Sequence, residues 1–167
     1  MQKVSCPPGS LRSQKVLLLV TSLAVILDQL TKLWVRKSLL LGESIPEEGF
    51  LRFTHVANEG VVFGLSVPQA FGFIVPVLLI AAVLYLAQRF SLLGSAWGQT
   101  SLGLFVGGSL GNLIDRMHLG HVTDFIDFNL WGDFHWPAFN LADAFIVVGV
   151  AMLIVVALRS VVGARYG

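Results

Sequence analysis

The residues of this chain that could do chemistry are acids and amides placed where hydrocarbon is expected. Asp28, Asn112, Asp115, Arg116, Asn140 and Asp143 stand near one end of three long apolar segments, and Asp124 lies in the connection between two of them. A carboxylate at the centre of a membrane helix costs on the order of 3 kcal/mol, so each needs a reason. Taken singly, each has a structural one. Asp28 and Lys32, four apart on one helix face, read as an ion pair near the interface. Asn140-x-x-Asp143 reads as a helix cap with an acid favouring the amino terminus, and Asp124 as a residue that closes a turn. Taken together, so many hydrogen-bonding groups at one depth describe a buried polar cavity open to water on one side.

Several chemistries are excluded. No serine lies in a nucleophile-elbow pattern and no His-Glu-x-x-His occurs. The lone cysteine, Cys6, sits in the polar stretch Ser5 to Ser10 and is expected on the opposite face. His118, His121 and Asp124 recur every three residues and would gather around a metal only if helical; Gly120 between them argues against it. Paired carboxylates remain. Two aspartates within about 3 Å cannot both ionise easily, so they share a proton: the ionised one takes a proton from water while the protonated one polarises a carbonyl. Their apparent pKa values then belong to the pair.

Such groups must be positioned by membrane-spanning elements. Of the 167 residues, 55% are apolar and 13% charged, with a mean hydropathy of +0.78, against roughly 25% charge in a soluble protein. The net charge of +1 gives no general attraction to nucleic acid. Four segments, about 16–35, 70–87, 98–114 and 139–158, approach the roughly 20 residues a crossing helix needs. The expectation is an all-α membrane protein, one domain over 1–167, with four transmembrane helices. The basic start and the apolar run Val16 to Leu27 mimic a secretory signal, but no small-x-small cleavage site follows, so they read as a retained anchor. Pro76 should kink the second helix. In the third, Gly103, Gly107 and Gly111 form a small-residue packing stripe, while Gly108, Asn112 and Arg116 share the same period and point into a common pocket.

Six basic residues fall on the side of the termini and five opposite, whereas all ten acids fall in the half facing away from the termini. The termini are placed in the cytoplasm and the acidic face outside. Two connections, about 36–69 and 115–138, then lie outside. Phe50 to Val56 is β-branched and aromatic enough for a strand, which suggests a small β-platform. The second connection carries Phe125, Phe128, Trp131, Phe134, Trp136 and Phe139 and reads as an aromatic interfacial loop.

Five blocks carry a resemblance. Asp28-Gln29-Leu30-Thr31-Lys32, Asn58-x-Gly60, Gly107-Gly108-x-x-Gly111-Asn112-x-x-Asp115-Arg116, Val122-x-Asp124-Phe125 and Phe139-Asn140-x-Ala142-Asp143 resemble, in order and spacing, the bacterial lipoprotein signal peptidases, or signal peptidase II. The resemblance implies an intramembrane aspartyl endopeptidase of the bacterial cytoplasmic (inner) membrane. It would remove signal peptides from prolipoproteins just before a cysteine bearing diacylglyceryl. By position, Asp124 and Asp143 match the catalytic pair. Asn58, Gly60, Asn112, Arg116 and Asn140 match residues around the pair that hold substrate, and Asp28, Lys32 and Asp115 match supporting positions. It implies no cofactor and no metal. The partners implied are the diacylglyceryl-prolipoprotein, membrane lipids and cyclic lipopeptide inhibitors such as globomycin, with no nucleic acid. One departure stands out: Val61 and Val62 precede Phe63 where the family usually has two alanines, which would narrow the substrate groove. A proton-coupled transporter would instead spread its acids through the membrane depth, and a non-catalytic scaffold would depend on the glycine stripe alone.

Overall fold

The computed structural model describes residues 11–62, 65–66, 69–131 and 134–166. Its frame is four helices: α1 (Leu11–Ser38), α2 (Gln69–Arg89), α3 (Ala96–Leu119) and α4 (Leu141–Tyr166). α1, α2 and α3 run past the spans expected for them at both ends, while α4 starts two residues later than expected, because Phe139 ends β6 and Asn140 caps the helix, and runs on past residue 158. Cys6 and the rest of the first ten residues lie outside the described residues.

Three stretches are long and apolar enough to cross a membrane: Gln14–Ser38, Ala70–Arg89 and Leu141–Ser160. The third expected span, within α3, does not join them on composition. Its Gln99, Asn112, Asp115 and Arg116 dilute the apolar run. The reason is position. α3 packs between α1 and α4, so about half of its residues are buried against protein and need not be apolar.

The glycine stripe explains that closeness. A Cβ on Gly107 would stand 2.7 Å from the Ala24 Cβ, and one on Gly103 would stand 2.8 Å from the Val20 Cβ, both on α1. On the neighbouring face, a Cβ on Gly108 would collide with the carbonyl of Ala142 at the start of α4. At the other end of the bundle Ala87 of the last turns of α2 and Leu92 join Leu102, Phe105 and Leu153 in an apolar core. Outward-facing Leu18, Leu78, Val147 and Leu158 remain exposed, as residues that meet lipid would.

Above the aspartate end lies an antiparallel sheet of four strands in the order β1-β2-β5-β6. These are β1 (Ser44–Ile45), β2 (Leu51–Asn58), β5 (Val122–Trp131) and β6 (Phe134–Phe139), while β3 (Val61–Val62) and β4 (Leu65–Ser66) pair separately. The expected strand over Phe50–Val56 is thus β2, displaced toward Asn58. The aromatic interfacial loop is corrected. Residues 122–131 and 134–139 are strands of the same sheet as the platform, and the buried first half of β5 packs on Val35 and Leu39 through Phe125. Its aromatics work as cross-strand pairs, with Phe50 and Phe128 centroids 5.3 Å apart and Trp131 stacked on Phe134 at 5.1 Å.

Candidate active site

Three local structures bring the polar residues together. Gly120, at φ 78°, closes α3 with its N–H on the Arg116 carbonyl and turns the chain into β5. That turn also ends any helical spacing of His118, His121 and Asp124. Asp124 is therefore a strand residue, opposite Val56 on β2, rather than part of a turn. Asn58, opposite Val122, is its diagonal neighbour on the same face. The third structure is the start of α4. Asn140 and Asp143 cap it reciprocally: the Asp143 N–H donates to Asn140 Oδ1 at 3.0 Å, and the Asn140 N–H donates to Asp143 Oδ2 at 3.2 Å. The cap expected from the sequence is real, and it also aims the Asp143 carboxylate.

Each carboxylate oxygen of the two aspartates receives an N–H. Asp124 Oδ2 accepts from Asn58 Nδ2 at 2.9 Å and Oδ1 from Asn140 Nδ2 at 2.6 Å. Asp143 Oδ1 accepts from Asn112 Nδ2 at 2.7 Å, and Oδ2 accepts the cap bond. The amides are aimed because their own oxygens are occupied. The Gly60 N–H holds Asn58 Oδ1 at 2.9 Å, which a left-handed Gly60 (φ 88°) permits. Lys32 Nζ and Asn140 Nδ2 hold Asn112 Oδ1 at 2.8 and 3.1 Å. With the oxygen end of each amide occupied, its NH₂ turns toward a carboxylate. Asp124 is 2% exposed and Asn140 fully buried, whereas Asp143 is half-buried. Burial pushes the Asp124 carboxyl up to about 6; the Asn58 and Asn140 hydrogen bonds oppose this and the nearby charge of Asp143 adds to it.

Beneath the pair lies a second buried cluster. Lys32, fully buried on α1, contacts Asp28 Oδ2 at 2.9 Å and Asp115 Oδ2 at 3.2 Å. Asp28 Oδ1 accepts the Ala142 N–H at 2.9 Å, next to Asp143, and Asp115 Oδ2 accepts the Thr123 N–H at 2.9 Å, next to Asp124. Each supporting aspartate thus grips the backbone beside one member of the pair.

All ten residues singled out from the sequence therefore meet at one end of the bundle. Arg116 is the least engaged: it bonds the Asn112 carbonyl at 3.4 Å, and its stem lies where a Cβ on Gly72 would stand 3.2 Å away. Among the described residues its other N–H groups have no hydrogen-bond partner. The side chains of Val61 and Val62 lie outside the described residues.

Sequence reasoning missed Gln29, whose amide donates to Asp28, to the Gly111 carbonyl and to Asp115. It also missed Arg36, bonded to Thr123 Oγ1 at 3.0 Å and 3.6 Å from Asp115. The spacing of Asp28, Lys32 and Arg36, four apart, was the available signal. A third group, on the platform, had none. Buried Asp127 accepts from Arg52, His135 and Thr54 and ties β2, β5 and β6 together. Burial pushes its carboxyl up, but these hydrogen bonds outweigh it and hold it below the ordinary range.

A helical bundle that gathers one buried and one half-buried aspartate, both held by amides, at one end beside a sheet has the groups that a membrane protease of the aspartic type needs. Comparison with known proteins agrees. The family described as "Signal peptidase (SPase) II" matches residues 20–159. The chain is 39% identical over 137 residues to a lipoprotein signal peptidase of Halothermothrix orenii, covering 81% of this chain and 90% of that one. It is 40% identical over 143 residues to the Aeromonas hydrophila protein of the same name, covering 83% and 85%. A bacterial membrane enzyme solved by the in meso method at 2.3 Å superposes with a TM-score of 0.73 at 33% identity, over 90% of this chain and 92% of that one. The chain belongs to the signal peptidase II family of aspartic-type proteases.

Proposed function

We propose that this protein removes the signal peptide from prolipoproteins, cutting just before a cysteine that already carries diacylglyceryl, with Asp124, Asp143 and one water. The observation that carries the reading is the set of N–H donors on all four carboxylate oxygens. They fix both side chains without supplying a full charge, so the pair can hold one proton between them. Asp124, the more deeply buried, keeps that proton and donates it to the scissile carbonyl oxygen. Asp143, half-open, takes a proton from the attacking water. The tetrahedral intermediate collapses as Asp143 passes its proton to the amide nitrogen, the bond from that nitrogen to the carbonyl carbon breaks, and a hydroxyl of the intermediate returns a proton to Asp124.

Asn58, Gly60, Asn112 and Asn140 hold the pair and border the bound peptide, and Arg116 offers its free N–H groups to a substrate carbonyl. Asp28, Lys32 and Asp115 fix the backbone on which the pair stands. The depth of the site suits the substrate, whose lipid chains and signal helix both stay in the bilayer while the scissile bond reaches the interface. α3 is read as the fourth crossing, placed inside the bundle. Four crossings bring both termini to one side, which the basic residues there favour as the cytoplasm of a bacterial cell, with the site then at the outer face of the inner membrane. Cyclic lipopeptides such as globomycin would compete for the same space. The acids support this over a proton relay, since they are joined to one another at one end.

The test is purified protein in detergent with a diacylglyceryl-modified lipopeptide and its unlipidated counterpart, products read by mass spectrometry. Cleavage of the lipidated peptide alone, immediately before the modified cysteine, is expected. An intact lipopeptide, or cleavage elsewhere, overturns the reading.

A further inference from the structure

The end of the bundle away from the aspartates holds a second cavity. The α2–α3 turn, the start of α3 and the last turns of α4 enclose about 370 Å³, lined on its polar side by Ser91, Ser95, Arg159 and Ser160. A groove of about 270 Å³ adjoins it, with Trp97, Val156 and Arg159 common to both. The groove continues along α4 over Val155, Met152 and Ala151 and is apolar throughout except for Arg159. Arg159 lies in the last turn of the apolar stretch Leu141–Ser160, at the hydrocarbon boundary, and Trp97 is 66% exposed beside it, where interfacial aromatics concentrate.

The charge at this end is unbalanced. All ten Asp and Glu residues fall within 28–59 and 115–143. Asp143, on the same helix as Arg159, is about 24 Å away at ~1.5 Å per residue. Among the described residues no carboxylate side chain is therefore available to the guanidinium, and the Ser91 and Ser95 hydroxyls carry hydrogens suited to an oxyanion, while Ser160 donates its own to the Ala157 carbonyl.

We infer that the cavity and groove together bind one anionic glycerophospholipid, its phosphate against Arg159 and the Ser91 and Ser95 hydroxyls and one acyl chain along α4. The dimensions agree. From Arg159 to Ala151 the helix rises about 12 Å, most of the roughly 15 Å depth of one leaflet's hydrocarbon. A zwitterionic headgroup would bring an ammonium to a place with no acid to receive it. A basic peptide segment would be repelled by Arg159.

Native mass spectrometry tests this on the full chain, purified in detergent holding equal amounts of phosphatidylglycerol and phosphatidylcholine with matched acyl chains. The wild type is expected to retain phosphatidylglycerol about tenfold over phosphatidylcholine, the size of one charge-assisted contact. Arg159→Gln should bring the ratio near one, and Arg159→Lys should keep most of it. Ala151→Trp, which fills the groove, should lower retention of both lipids. Glycerol phosphate, lacking chains, should fail to displace the lipid. Equal retention of the two lipids by the wild type overturns the inference without any variant. So does an unchanged ratio in a folded Arg159→Gln protein, unaltered retention in Ala151→Trp, or displacement by glycerol phosphate as effective as by intact lipid.

Discussion

Four aspartates gather at one end of this bundle, and they are held in two different ways. Asp28 and Asp115 lie against a cation, the fully buried Lys32. Asp124 and Asp143 lie against amides, from Asn58, Asn112 and Asn140. A full opposite charge gives a buried carboxylate a fixed ionic partner, while neutral amide donors favour the ionised form more weakly and leave burial able to raise the Asp124 carboxyl. The first pair can serve as foundation and the second as machinery. Asn112 joins the two, since its oxygen accepts from Lys32 and its NH₂ donates to Asp143.

Substitutions that treat the two pairs alike should give opposite results. Asp124→Asn or Asp143→Asn removes a proton carrier but leaves a side chain of the same shape. Cleavage of the lipopeptide should fall by about three orders of magnitude or more, with the melting temperature in detergent near that of wild type. Equal activity in both variants would erase the distinction. Lys32→Met leaves two buried carboxylates facing each other with no cation between them. A loss of about 3–5 kcal/mol of stability is expected, read by denaturant unfolding, with activity lost as a consequence. If Lys32→Met is as stable as wild type but inactive, the lysine belongs to the machinery. Arg36→Gln is the small case. Arg36 is 24% exposed and lies 3.6 Å from Asp115, so it should cost about 1 kcal/mol or less, with cleavage reduced less than tenfold.

The same contrast explains what the sequence revealed. Polar residues inside apolar runs are legible because the membrane penalises them, and a period of four showed that Asn112 and Arg116 share a face. The glycine stripe was legible for the same reason, and its contacts with Val20 and Ala24 are the close approach it implied. The platform was harder to read. Asp127 and His135 look like ordinary loop residues until β5 and β6 pair, and the pairing depends on partners more than seventy residues away in β2. Asp124 looked like a turn residue because its strand is defined by tertiary packing and not by propensity. The composition of α3 misled in the other direction. A helix enclosed by its neighbours carries polar residues that a lipid-facing one cannot.

The central claim is that Asp124 and Asp143 divide one proton while Asp28 and Asp115 do not take part. Difference infrared spectroscopy of the carboxyl C=O band, wild type minus Asp124→Asn and wild type minus Asp143→Asn, measures this across a pH titration. Burial raises the Asp124 carboxyl from 3.8 to about 6, so the group is protonated below that value and ionises as the pH rises through it. The account predicts a protonated-carboxyl band in the wild type that fades through about pH 6, is absent from Asp124→Asn, and fades at lower pH in Asp143→Asn, which has lost the neighbouring charge. The same band unchanged in Asp124→Asn, an unshifted titration in Asp143→Asn, or a wild type with no carboxyl titrating above pH 5 or so, would contradict it.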